Sequence, residues 1–136
     1  MAIDHTCLCV PKDKFEQCLK IYLDALKPLG YEVRHRYGEM VVGLGTSIGE
    51  QRIEGYKQAD FWLVGVEAPS GHGIHLAFRS PDRLTVDQFH SAAIKAGAED
   101  NGPPGIRTMY HPNYYGAFFR DPAGNNIEAV CHTATA

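Results

Sequence analysis

The chain has 136 residues, with 16 acidic against 13 basic side chains and a formal net charge of −3. This length fits one domain that buries about two-thirds of its unfolded surface, and the mixed, weakly acidic charge leaves no electrostatic footprint for nucleic acid. No apolar run approaches the roughly 20 residues of a membrane span, and residues 1–5 lack the basic start and apolar run of a secretion signal. A cytoplasmic location is therefore expected, in which Cys7, Cys9, Cys18 and Cys131 stay reduced. Cys7-x-Cys9 has no second pair with which to build a structural zinc knuckle.

Residues 3–10 alternate about apolar positions and read as a strand. A helix follows from Pro11 to about Leu29. In it Phe15, Leu19, Tyr22, Leu23 and Leu26 recur at helical spacing, and Pro28 and Gly30 close it. Residues 31–37 and 40–44 read as a hairpin about Gly38-Glu39. Residues 46–57 are polar and read as a loop, residues 60–66 as a fourth strand, and residues 69–73 as a turn-rich connector. The order then recurs. Residues 74–78 form a strand, and a helix capped at Thr85 or Asp87 carries Val86, Phe89, Ala93 and Ile94 before ending at Gly97. Residues 101–105 read as a loop, 107–111 and 115–119 as strands separated by Pro112-Asn113, 121–125 as a turn, and 126–131 as the last strand.

The two halves match. His5 and His75 open equivalent strands 70 positions apart, and Pro11 and Pro81 have the same separation. The pattern is βαβββ twice: an α+β domain over 1–136, with module one at about 1–68 and module two at about 72–133. Pseudo-symmetry between modules places two imidazoles at equivalent points, which is the start of a metal site. Alternate residues of a strand share a face. His5, Cys7 and Cys9 form one such set, His75, Ala77 and Arg79 a second, and Asn126, Glu128, Val130 and His132 a third. Glu128 is a carboxylate in a strand otherwise built from Ile, Ala, Val and Cys, a costly placement unless it is paired or bound to metal. His5, His75 and Glu128 on different strands make a facial triad, which leaves coordination positions open to water and substrate. His35, His90 and His132 lie in polar surroundings and read as solvated. Asp121 and Asn125 read as turn residues.

Three segments carry a family resemblance: Asp4-His5-x-x-Leu8-x-Val10, Ile74-His75-Leu76-Ala77-Phe78, and the run from Phe119-Arg120-Asp121-Pro122 through Ala123-Gly124-Asn125 to Asn126-Ile127-Glu128. In these, and over nearly its whole length, the chain resembles the vicinal-oxygen-chelate superfamily of glyoxalases, extradiol dioxygenases, fosfomycin-type resistance transferases and bleomycin-binding proteins. The resemblance implies two βαβββ modules whose curved mixed sheets form a cup, helices outside, around a metal held by His5, His75 and Glu128. Aligning residues 59–62 with 125–128 puts Trp62 at the family's fourth ligand position. Tryptophan cannot ligate a metal, so a three-ligand member is the better match.

The function this implies is Lewis-acid chemistry by one divalent ion (Zn, Fe, Mn, Co or Ni) on the vicinal oxygens of a small molecule. The protein would then be a lyase or isomerase, a dioxygenase or a transferase. The alternative is a non-catalytic drug- or metabolite-binding protein of the bleomycin-resistance type. Arg79, Trp62, Tyr115, Cys7 and Cys9 are expected to line the substrate's path, with His111 and Tyr110 as proton carriers. The expected partners are the small-molecule substrate and a second copy in a homodimer, not nucleic acid or membrane. The family pairs its modules within one chain or between two, and the sequence leaves both arrangements open.

Overall fold

The computed structural model of the chain describes residues 4–48, 54–67 and 74–134. The first half runs β1 (Thr6–Pro11), α1 (Phe15–Leu26), β2 (Glu32–Tyr37), β3 (Val41–Gly45) and β4 (Phe61–Val66). The second runs β5 (His75–Arg79), α2 (Arg83–Lys95), β6 (Glu99–Ile106), β7 (Tyr115–Arg120) and β8 (Asn126–Cys131). Each half is a four-stranded mixed sheet, ordered β1-β4-β3-β2 and β5-β8-β7-β6. β1 lies parallel to β4 and β5 parallel to β8, and the remaining neighbours are antiparallel. This is the repeated βαβββ unit, in which one helix per module supplies the crossover that a parallel pair requires. Residues 69–73 and residues 49–53 of the expected loop lie outside the described residues.

Three local readings are corrected. His5 stands just ahead of β1 instead of inside it. The second helix is capped by Asp82, whose carboxylate accepts the Thr85 backbone N–H at 2.7 Å, not by Thr85 or Asp87; its side chain satisfies one of the free N–H groups of the first turn. In the third case, the segment 101–105 read as a loop is strand, and the segment 107–111 read as strand is a turn. β6 is an outer strand with two register shifts, so Pro103 and Pro104 withhold no hydrogen bond the sheet needs.

One apolar cluster joins both halves. Leu8 and Val10 of β1, Phe15, Leu19, Tyr22 and Leu26 of α1, Phe61 and Leu63 of β4, Val86 and Phe89 of α2, and Phe119 and Ile127 of the second sheet are all buried. Tyr22 is the hinge pin. Its ring packs 5.0 Å from Phe61 and 6.1 Å from Phe119, and its hydroxyl donates to Asp121 Oδ2 at 2.6 Å. Burying each large side chain contributes about 1.5–3 kcal/mol. Asp121 also receives the backbone N–H groups of Ala123 and Asn125, so this turn is braced from inside. The helices cover the face of each sheet that carries Leu8, Phe61, Phe119 and Ile127. By strand alternation the opposite faces, which carry Cys7, Trp62, Ala77 and Glu128, point away from the helices. No helix among the described residues is long and apolar enough to cross a membrane.

Candidate functional site

Glu128 sits in the middle of β8, opposite Ala77 of β5 and Phe118 of β7. Its side chain is only 3% exposed. Oε1 lies 3.2 Å from His75 Nε2, and Oε2 accepts a hydrogen bond from the Tyr114 hydroxyl. His75 Nδ1 lies 3.0 Å from the carbonyl of Asn126, an acceptor, so Nδ1 carries the ring proton and donates it there. Its Nε2 then faces a carboxylate oxygen. Either a proton on Nε2 or a metal ion between the two atoms satisfies this contact. The spacing suits two cis ligands about 2.1 Å from one ion, subtending about 100°. The backbone hydrogen bond on the far nitrogen is the usual way a ligating imidazole is held in its tautomer. His75 and Glu128 are thus the two side chains here whose donor atoms could hold a metal ion.

His5 shows the same habit. Its Nδ1 faces Asp4 Oδ1 at 2.7 Å, which leaves Nε2 as the ring's acceptor. It does not join the other pair: among the described residues no three His, Cys, Asp or Glu side chains converge as a metal site within the chain. His5 lies instead beside the first sheet, at a cavity of about 370 Å³ lined by Asp4, His5, Cys7, Tyr56, Gln58, Ala59 and Trp62. Cys7 and Cys9 are exposed on this face. Cys18, by contrast, is buried in the core, and burial pushes its thiol up to about 12.

Aromatic rings pave the rest of the first face. His35, Tyr37 and Trp62 lie with their planes within 7° of one another and their centroids 5.9–6.3 Å apart. Tyr56 stacks on His35 at 5.1 Å. Gly43 stands between Trp62 and His35 in the register, and a Cβ there would come within 2.8 Å of the indole. The missing side chain lets the tryptophan lie over the strand. His35 is thus a member of a ring stack, not a solvated histidine, and its Nε2 bonds the Lys57 carbonyl at 2.7 Å. His90 is likewise engaged: it pairs with Asp100 at 2.9 Å with its side chain 12% exposed.

The remaining sequence candidates divide by face. Arg79 is exposed and shares its side of β5 with His75. Tyr115 is on the other side of β7 from Glu128. Its hydroxyl donates to Asp87 of α2 at 2.6 Å, a bond that raises its pKa, and Arg83 covers its ring. His111 Nε2 meets His132 Nδ1 at 2.9 Å, and His111 Nδ1 accepts the Asn113 N–H at 3.1 Å, so both nitrogens of His111 are engaged. Tyr110, 63% exposed, packs its ring 4.7 Å from Tyr114. Burial, then the bond to Glu128, raises the Tyr114 pKa and keeps its hydroxyl protonated. Sequence reasoning passed over Tyr114 and the His35–Tyr56 stack. The signals available were Gly43 and Gly116, since a glycine inside a strand marks a close approach.

No family model matches the sequence, and no curated protein matches it. Solved structures do match in fold. A glyoxalase/bleomycin resistance protein from Albidiferax ferrireducens is 24% identical, with 94% of this chain and 98% of that one covered, at a TM-score of 0.70. A glyoxalase/bleomycin resistance protein/dioxygenase family enzyme from Burkholderia phytofirmans is 18% identical over 98% and 100% of the two chains, at 0.69. A lactoylglutathione lyase from Agrobacterium tumefaciens is 19% identical over 96% and 92%, at 0.63. The chain has the two-module fold of these glyoxalase/bleomycin-resistance/dioxygenase proteins.

Proposed function

We propose that this protein is a metal-dependent enzyme of the glyoxalase/dioxygenase type acting on a small substrate with neighbouring oxygens. The observation that carries the proposal is the His75 Nε2–Glu128 Oε1 pair at 3.2 Å, one partner held through Nδ1 by a backbone carbonyl and the other buried. Bound there, a divalent ion would supply Lewis-acid polarisation of substrate oxygens. The third ligand in this reading is His5 of a second copy. β1 and β5 are each the outer strand of their sheet, and neither is paired along its free edge among the described residues. A homodimer that sets β1 of one chain beside β5 of the other would bring the three ligands together.

The chain's own residues then divide the work. Glu128 presents its side chain from a buried position, where electrostatic interactions act most strongly. Arg79, on the His75 side of β5, is placed to take an anionic substrate group. The N–H shared between His111 and His132 is a transferable proton beside Tyr114. Cys7 and Trp62 would form the substrate wall on the His5 side.

The test is metal content in protein purified without an affinity tag. Wild type is expected to carry metal, and His5→Ala, His75→Ala and Glu128→Ala to lose it, while His90→Ala keeps it. Mixing the His5→Ala and His75→Ala proteins under conditions of subunit exchange is expected to restore metal in heterodimers. Retention of metal by Glu128→Ala sinks the site, and no recovery on mixing sinks the shared arrangement.

A second reading has its own observation. The parallel rings of His35, Tyr37, Tyr56 and Trp62 suit a planar ligand held without turnover, as in the bleomycin-resistance type. Metal-free wild type that quenches its single tryptophan with planar aromatic ligands would favour it.

A further inference from the structure

We infer that Tyr114 is a positioning residue for the metal centre, holding one oxygen of Glu128 so that the other faces His75 Nε2. The inference rests on the reading of His75 and Glu128 as metal ligands. The Tyr114 hydroxyl donates to Oε2 while Oε1 stands 3.2 Å from His75 Nε2. A carboxylate tied this way presents one oxygen to an ion at a fixed angle.

Local structure makes the reach possible. Tyr114 is the residue before β7, and its side chain must run forward along the strand to meet Glu128, which pairs with Phe118. Gly116 lies on that route. A Cβ there would stand 3.1 Å from Glu128 Oε2 and 3.2 Å from Tyr114 Cε1, so the glycine leaves the path open. The ring is fixed from its other sides by Tyr110 at 4.7 Å, His132 at 5.4 Å and His111 at 5.5 Å. Its backbone is anchored too: the Tyr114 carbonyl accepts the Arg107 N–H at 2.7 Å. Such a brace loses few degrees of freedom when it engages the carboxylate, which separates it from a mobile surface tyrosine.

The test is titration of metal-free protein with Co2+ and Zn2+, following calorimetric affinity and the visible Co2+ spectrum, for wild type, Tyr114→Phe and Glu128→Gln. Phenylalanine keeps the ring and its packing and removes only the hydroxyl. Tyr114→Phe is expected to bind about 10–100-fold more weakly and to shift the Co2+ bands, with apo-protein Tm close to wild type. Glu128→Gln is expected to lose binding. Affinity and spectrum unchanged in Tyr114→Phe, with binding lost in Glu128→Gln, overturn the positioning role alone. Binding unchanged in Glu128→Gln, or absent from wild type, overturns the ligand reading and this inference with it. Should Tyr114→Phe lower the apo Tm strongly without moving the Co2+ bands, the residue is structural and the inference also falls.

Discussion

The two open sheet faces can be laid over each other row by row. Across the first sheet one row reads Cys7, Trp62, Gly43, His35; across the second the matching row reads Ala77, Glu128, Phe118, Gly102. Each row contains a glycine beneath a ring: Gly43 under Trp62, and Gly102 under Phe118, where a Cβ would come within 2.9 Å. The frames agree and the chemistry does not. At the same strand position one half carries an indole that extends a ring stack, and the other a buried carboxylate facing a histidine. A duplicated fold can thus assign flat apolar surface to one module and charge to the other, because each position is read by its own neighbours and not by the symmetry.

Glu128 and Trp62 occupy matching strand positions and should respond oppositely to truncation. Glu128→Ala is expected to lower metal affinity by more than the 10–100-fold that losing an outer partner costs, while Trp62→Ala leaves it near wild type; elemental analysis decides. Equal loss in both would mean that the first face also contributes to holding the ion. Next in size, Trp62→Ala should destabilise by about 2 kcal/mol, below the range for fully buried aromatics because the indole is only partly buried. Denaturant unfolding measures it. Gly43→Ala places a methyl 2.8 Å from the indole and should cost about 1–2 kcal/mol, with a red shift of tryptophan emission as the ring lifts into water. An unshifted spectrum would mean that the stack is not held by that glycine.

The smallest effect concerns the helix behind the second face. The hydrogen bonds from Thr85 hold the Asp82 carboxyl below its ordinary 3.8. A lowered carboxyl adds stability above its ordinary pKa and loses it as pH falls through the lowered value. Asp82→Ala should therefore reduce Tm by a few degrees at neutral pH, with the gap closing in acid below about pH 3.8. A gap that persists unchanged at pH 2 would assign the loss to something other than the charged cap.

Much of the architecture was legible along the chain. The helical spacing of Phe15, Leu19, Tyr22 and Leu26, the strand alternation and the recurrence of His5 as His75 each depend on residues close in sequence. So does the suspicion attached to Glu128, an acid in an apolar strand. The error at 101–111 has an equally local source: Asn-Gly-Pro-Pro-Gly has the composition of a loop, and only an outer place in the sheet lets it run as a strand.

What the sequence could determine by itself was the unit, its duplication and the residue types suited to a metal, since periodicity and composition are properties of the chain alone. Which of those residues meet was decided by tertiary structure. The registers β5–β8 and β7–β8 put His75 and the Tyr114 route on Glu128, turned Tyr115 toward α2, and left His5 beside the other sheet. Strand register is a relation between segments far apart in sequence, and a slip of one residue would send every one of those side chains to the opposite face.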